Sequence, residues 1–304
     1  MRRFLPLIFL LGSCDEKPAA PAPVPAPQQS HAELVSTPEF SGHNAYTHCA
    51  AICALGPRYS GSEAYEKQLQ LLEKHLHAAG WKTARDYFTV PNGVRMCNLR
   101  AFRSTTPAPL LLSCHIDTKV NISPDFQSAD DGASGAAVLL ELARTLSDER
   151  VELIFLDGEE SFAPRMSETD GLYGSRHDVA RRGKTQPRWQ INLDMVGGRN
   201  KTIAIPSLDT SDAMYEQYTA AIRSLGLSEE KWTVWPGSYM DDHLPYLEAG
   251  VDSLNLIAVF SGSNWWHTPR DNMNRICPRS LHESGQVVQQ LIRQLLSGAP
   301  SVSP

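Results

Sequence analysis

Carboxylates and imidazoles recur along this chain in short clusters: His115-Ile116-Asp117, Asp130-Asp131, Glu159-Glu160, Asp194, Asp241-Asp242-His243 and Trp265-Trp266-His267. Zinc takes imidazole nitrogen and carboxylate oxygen, and a catalytic zinc keeps one position open for water or substrate. In His115-Ile116-Asp117 a possible ligand stands two residues before a carboxylate able to orient it. Asp130-Asp131 precedes Gly132-Ala133-Ser134-Gly135, where a tight turn would expose a carboxylate at the start of a helix. Two adjacent acids after a buried strand, as at Glu159-Glu160, are costly without a cation or a proton. Adjacent side chains diverge in an extended segment, so one glutamate can bind metal while its neighbour acts as a general base. Each cluster alone has an ordinary explanation as a surface pair, a turn, a solvated charge run or core aromatics. Their joint placement carries the argument.

That placement comes from the elements around them. Apolar runs at 110–112, 151–156, 189–195 and 253–259 suit strands buried on both faces of a sheet. Strands at 81–90 and 96–102 are joined by a turn at Pro91-Asn92-Gly93. Helical periodicity covers 43–55, 62–80, 133–147, 172–182, 210–225, 241–249 and 279–296. The pattern predicts an α/β fold, with a mixed, mostly parallel central sheet flanked by helices on both faces. His115, Glu159, Glu160, Asp194 and His267 all follow strands. Ligands of such sheets bind beyond the carboxyl ends of the strands.

The termini read differently. Arg2-Arg3, the apolar run from Phe4 to Leu11 and the small Gly12-Ser13 predict a signal peptide over 1–13. The run is too short to span a bilayer, which takes roughly 20 apolar residues. Leu11-Gly12-Ser13-Cys14 resembles the lipobox of bacterial lipoproteins, which implies cleavage before Cys14 and its lipidation. Residues 14–40 then form a Pro/Ala-rich linker, in which Lys17 to Ser30 is a semi-rigid spacer reaching roughly 40 Å at about 3.1 Å per residue. The expected localisation is the bacterial cell envelope, lipid-anchored and facing the periplasm or the exterior. Residues 41–298 are left as one catalytic domain, with a disordered tail at 299–304. A formal charge of -6 without a basic run argues against nucleic acid as a partner, and a monomer is expected. Beyond Cys14 there are five cysteines, Cys49, Cys53, Cys97, Cys114 and Cys277, so at least one is free or pairs with another chain. Core packing is the reading of Cys49 and Cys53, with a disulfide as the alternative.

The motifs GPRYSGS, SCHIDTK, ADDGASGAAVLLELA, LDGEES, DGLYGSRH, INLDMVG, DDHLPYLEAGV and WWHTPRDN occur in the order seen in zinc aminopeptidases and glutaminyl cyclases, two groups with one α/β fold. The resemblance covers nearly all of residues 50–296. DGLYGSRH, Asp241 ahead of Asp242-His243, Trp266 before His267, and Asn272 are cyclase-type features. The cyclase resemblance implies one zinc held by Asp131, Glu160 and His267, with Glu159 as acid/base. It adds a hydrogen-bonded acidic network with Asp194 and Asp241, and substrate contact by Trp266. The implied reaction converts N-terminal glutamine of peptides to 5-oxoproline with release of ammonia. The aminopeptidase resemblance implies two zincs, with Asp131 bridging them and His115 and Asp194 joining as ligands; Asp117 is a further candidate around that second position. A binding lipoprotein on the same fold is the remaining alternative, disfavoured because every ligand type and Glu159 are present. Four departures bear on the pocket. Asn255 stands where animal cyclases have histidine, Gly132 where they have serine, and Ala136 where Cys114 has its disulfide partner. Pro164, Arg165 and Met166 occupy a segment that lacks the usual tryptophan.

Overall fold

The computed structural model describes residues 40–297. The expected signal peptide, Cys14, the spacer up to residue 39 and the tail lie outside those residues. Phe40, at the end of the expected spacer, is fully buried in the core, so the fold includes it.

The chain order is α1 (Gly42–Cys53), α2 (Glu63–Ala78), β1 (Lys82–Thr89), β2 (Arg95–Phe102), β3 (Leu110–His115), α3 (Ala133–Thr145), β4 (Val151–Leu156), α4 (Tyr173–Arg182), β5 (Trp189–Asp194), β6 (Ile203–Pro206), α5 (Asp212–Ser224), β7 (Trp232–Trp235), α6 (His243–Glu248), β8 (Asp252–Ala258) and α7 (Pro278–Ser297). Ser41 and Ser62 start the first two helices, each side chain accepting a backbone N–H of the first turn, at 3.3 Å from Asn44 and 3.1 Å from Tyr65.

The strands form one eight-stranded sheet in the order β1-β2-β4-β3-β5-β8-β6-β7. Its central block, β4-β3-β5-β8, is entirely parallel, and antiparallel pairs attach β2 and β6 to its two sides. β6 and β7 are absent from the sequence-derived pattern. Four residues are too few to display alternation, and Pro206 ends the first of them.

Each central strand feeds both faces. Leu110, Leu112, Leu153 and Phe155 join the large core under α1, α2, α3, α5 and α7. Leu111, Ile154 and Leu156 pack with Tyr246 of α6 and Val179 of α4 on the other face. Burial on two sides explains why these strands read as unbroken apolar runs. α3 approaches β5 closely because Gly135 has no side chain; a Cβ there would fall 2.5 Å from the Leu193 carbonyl oxygen. The five cysteines beyond Cys14 are all free, and Cys49, Cys53, Cys97 and Cys114 are buried.

Candidate active site

Because β4, β3, β5 and β8 run parallel, their carboxyl ends share one edge of the sheet. His115 ends β3 and Asp194 ends β5, while Glu159-Glu160 and His267 lie in the loops after β4 and β8. Asp131 comes from the turn before α3. The sheet therefore delivers residues far apart in sequence to one place.

Asp131, Glu160 and His267 each offer a ligand atom within 4.8 Å of one another. His267 Nε2 is 2.9 Å from Glu160 Oε1 and 3.4 Å from Asp131 Oδ2. Asp131 Oδ2 is buried and makes no hydrogen bond. A second group, His115, Asp131 and Asp194, meets the same distance limit, with His115 Nε2 at 3.2 Å from Asp131 Oδ1 and from Asp194 Oδ1. Two imidazoles among buried carboxylates, with one carboxylate oxygen orphaned, fit a divalent cation. Burial works against a charged ring at His267, but the Asp131 and Glu160 carboxylates raise its pKa to about 10. Burial likewise opposes the His115 cation, and Asp117, Asp131 and Asp194 lift it well above the usual range. The acids thus bind positive charge strongly even when only a proton supplies it.

Asp117, a candidate for a second metal, belongs to neither ligand group. Its two oxygens accept the backbone N–H groups of Glu159 and Glu160, each at 3.1 Å, so it orients the glutamate pair. Asp271 does the same for the neighbouring turn, accepting from Asp130 at 2.8 Å and Asp131 at 3.1 Å. Gly132 turns the chain there with φ +92°; a Cβ would sit 3.0 Å from His115 Cε1. Met195 and His267 adopt φ near +50° without being glycine, the kind of strained backbone that collects at functional sites.

A cavity of about 480 Å³ opens over this group, lined by Asp131, Glu159, Glu160, Asp194, Asp241 and His267 among others. Burial pushes the Glu159 carboxyl well above the ordinary range; His115 opposes this, while Glu160 and Asp241 reinforce it. Burial also raises Asp194, with His115 opposing and Asp241 adding repulsion. Asp241 joins neither ligand group but is held firmly. Its Oδ1 accepts from Asn192 Nδ2 at 2.9 Å and its Oδ2 from Asn255 Nδ2 at 2.7 Å. Asn255 thus supplies a neutral donor where the resemblance leads one to expect histidine. Trp266 lies over His267, with ring centroids 3.9 Å apart, and adjoins Phe260 at 4.7 Å. Asn272 only closes its own turn, donating to the Pro269 carbonyl at 2.9 Å.

Sequence reasoning missed three contributors. Asn192 is two residues before Asp194 on β5, so strand alternation places both on one face. Asp271 stands four residues after His267 in a motif already singled out. Lys119, two residues after Asp117, is buried, with Nζ 3.5 Å from Glu160 Oε2 and 2.6 Å from the Ser161 carbonyl oxygen. No local pattern marks these roles, because each depends on a long-range contact.

Known proteins resemble the chain in sequence and fold. A bovine (Bos taurus) glutaminyl-peptide cyclotransferase-like protein is 30% identical over 278 residues, covering 79% of this chain and 72% of its own length. The solved glutaminyl cyclase of Porphyromonas gingivalis superposes with a TM-score of 0.75 at 26% identity, covering 85% of this chain and 100% of that one. A Zn-dependent exopeptidase from Parabacteroides distasonis gives 0.74 at 26% identity, covering 84% and 99%. Residues 99–292 match peptidase family M28. With the ligand groups at the carboxyl edge of the sheet and a match spanning most of the described fold, the chain belongs to peptidase family M28.

Proposed function

We propose that this chain is a zinc-dependent glutaminyl-peptide cyclotransferase, closing the N-terminal glutamine of peptides to 5-oxoproline with release of ammonia. The observation that carries this reading is Asp241, a buried acid in the cavity that joins neither ligand group and yet has both oxygens fixed by amide donors. In cyclisation the α-amine is itself the nucleophile, so an acid that holds no metal can fix that amine beside the γ-carbon while Glu159 moves the proton. The cyclase names of the bovine and Porphyromonas gingivalis relatives agree with it.

Zinc, when bound by Asp131, Glu160 and His267, would draw electron density from the γ-carboxamide oxygen. The chain's own groups do the rest. The acidic cavity holds the α-amino end of the substrate, which reacts as the free amine after giving its ammonium proton to solvent, and Trp266 offers a flat apolar surface beside it. Glu159 takes a proton as the α-amine forms a bond to the γ-carbon, and returns it to the nitrogen that leaves as ammonia. The attack is intramolecular, so holding the glutamine side chain curled toward its own amine supplies much of the acceleration.

A specific observation favours one rival. His115, Asp131 and Asp194 form a second ligand group, which suits a di-zinc aminopeptidase. We assign one zinc, held by Asp131, Glu160 and His267, in keeping with the cyclase names of the relatives. Ammonia release from a glutaminyl peptide, assayed beside cleavage of a leucyl anilide, tests the reaction; peptide cleavage without ammonia refutes it. Metal analysis tests the count, and about two zincs per chain would favour the peptidase. The proposal includes a monomer anchored through lipidated Cys14 in the cell envelope. Labelling with a fatty acid that is lost in Cys14→Ser checks the anchor.

A further inference from the structure

The cavity lining divides by exposure. Its acids and the metal-ligand group lie at the buried end, while Pro164, Arg165, Met240 and Trp266 are exposed and mark the mouth. Among those four, Arg165 alone is charged. Lys119, the other cationic side chain of the lining besides His267, is buried and committed to Ser161 and Glu160. Arg165 has no ion pair or hydrogen bond to any described residue.

The segment presenting Arg165 is tied down. Asp170 accepts the backbone N–H groups of Phe162 and Ala163 at 2.9 and 2.8 Å, and Ser167 and Asp170 exchange backbone hydrogen bonds. Gly171 lets the return strand pass under Met166, where a Cβ would lie 2.7 Å from Met166 Cγ. Arg165 is therefore held at the mouth on a short, braced loop.

We propose that Arg165 is a specificity-determining residue that selects substrates bearing a carboxylate one residue beyond the N-terminal glutamine. The inference rests on the cyclotransferase reading. The glutamine occupies the buried end, where acids meet its α-ammonium group. The next residue lies about 3.3–3.6 Å further along the chain per position, toward the mouth. There it meets apolar Met240 and Trp266 and a guanidinium with no protein partner. A carboxylate supplies the planar, bidentate partner that guanidinium favours. Two sources share this chemistry, an acidic side chain at the second position and the free C-terminus of a dipeptide.

The test compares kcat/KM for ammonia release within each protein variant, so differences in folded fraction cancel. One arm uses Gln-Glu-Ala-amide against Gln-Lys-Ala-amide; the other uses Gln-Ala against Gln-Ala-amide. The native chain is expected to prefer the carboxylate about fivefold in at least one arm, the range of a partly exposed ion pair. The preference shrinks in 1 M salt, where the Debye length is about 3 Å. Arg165→Ala brings the ratio near one, and Arg165→Glu reverses it. A ratio unchanged in Arg165→Glu, or no preference in either arm, overturns the proposal while the cyclotransferase reading stands. If no glutaminyl peptide releases ammonia, that reading falls and takes this proposal with it.

Discussion

Replacing Gly132 by alanine adds one methyl group between the Asp131 turn and His115. Two separate penalties follow. The backbone there has φ +92° and ψ -51°, outside the regions open to L side chains, which costs about 1–3 kcal/mol. The added Cβ also lies 3.0 Å from His115 Cε1 and 3.3 Å from the Asp117 carbonyl oxygen. The ring is enclosed by Asp117, Asp131 and Asp194 and cannot swing aside, so overpacking adds about 1–3 kcal/mol. Gly250→Ala is the control, because its φ is +83° and nothing lies within 4 Å of the added atom. It carries the backbone cost alone. At about 2–4 °C per kcal/mol for a domain of this size, Gly132→Ala should lower the Tm by roughly 5–15 °C. The control should lower it by about half as much or less. Displacing His115 also removes the 3.2 Å contact that holds Asp131 Oδ1, so zinc affinity should fall about tenfold. Thermal unfolding with and without zinc, and zinc titration against a competing chelator, measure both effects. Equal losses in the two variants with unchanged zinc affinity would refute the reasoning. Serine, which the resemblance puts at this position, should cost at least as much here as alanine.

Glu159→Gln should retain bound zinc and lose turnover by at least about 100-fold, the scale of a removed acid/base; metal analysis alongside ammonia release checks it. Asn255→Leu strips Asp241 Oδ2 of its 2.7 Å donor, at a cost of about 1–3 kcal/mol. Activity should fall, and Asn255→His, which restores a donor, should recover more of it than leucine. Away from the site, burial and then neighbouring His75 lower the His48 pKa from 6.5 to about 4. The unfolded ring therefore takes up a proton that the folded ring refuses. Stability is full above about pH 6.5 and declines toward pH 4, by about 2–3 kcal/mol. His48→Gln should reduce the difference between urea midpoints at pH 7 and pH 4.5.

The parallel central strands were legible because burial on both faces writes them as apolar runs. Their expected common direction puts their carboxyl ends at one edge, so His115, Glu159, Glu160, Asp194 and His267 could be assigned to that edge from the sequence. β6 and β7 were not legible, since four-residue strands owe their existence to neighbours rather than to their own pattern. The supporting groups were hidden for a related reason. Asp117 reads as a carboxylate able to orient His115, but its oxygens accept the Glu159 and Glu160 amides, a role that no local pattern marks. Asn192 acquires meaning only when β5, β8 and the start of α6 are packed together, where it and Asn255 both donate to Asp241. Arg165 is an ordinary loop residue until the cavity gives it a location.

The Asp271 brace has a consequence for how the protein comes into being. Asp271 and Asp131 are 140 positions apart in the chain, and His267 travels with Asp271. During synthesis the Asp131 turn emerges long before either the imidazole that completes its ligand group or the carboxylate that clamps its amides. With Asp131, Glu160 and His267 as the proposed ligands, the full set exists only in chains synthesised past β8. A fragment ending before that loop would carry two of the three proposed ligands and would lack the Asp271 clamp on the Asp131 turn.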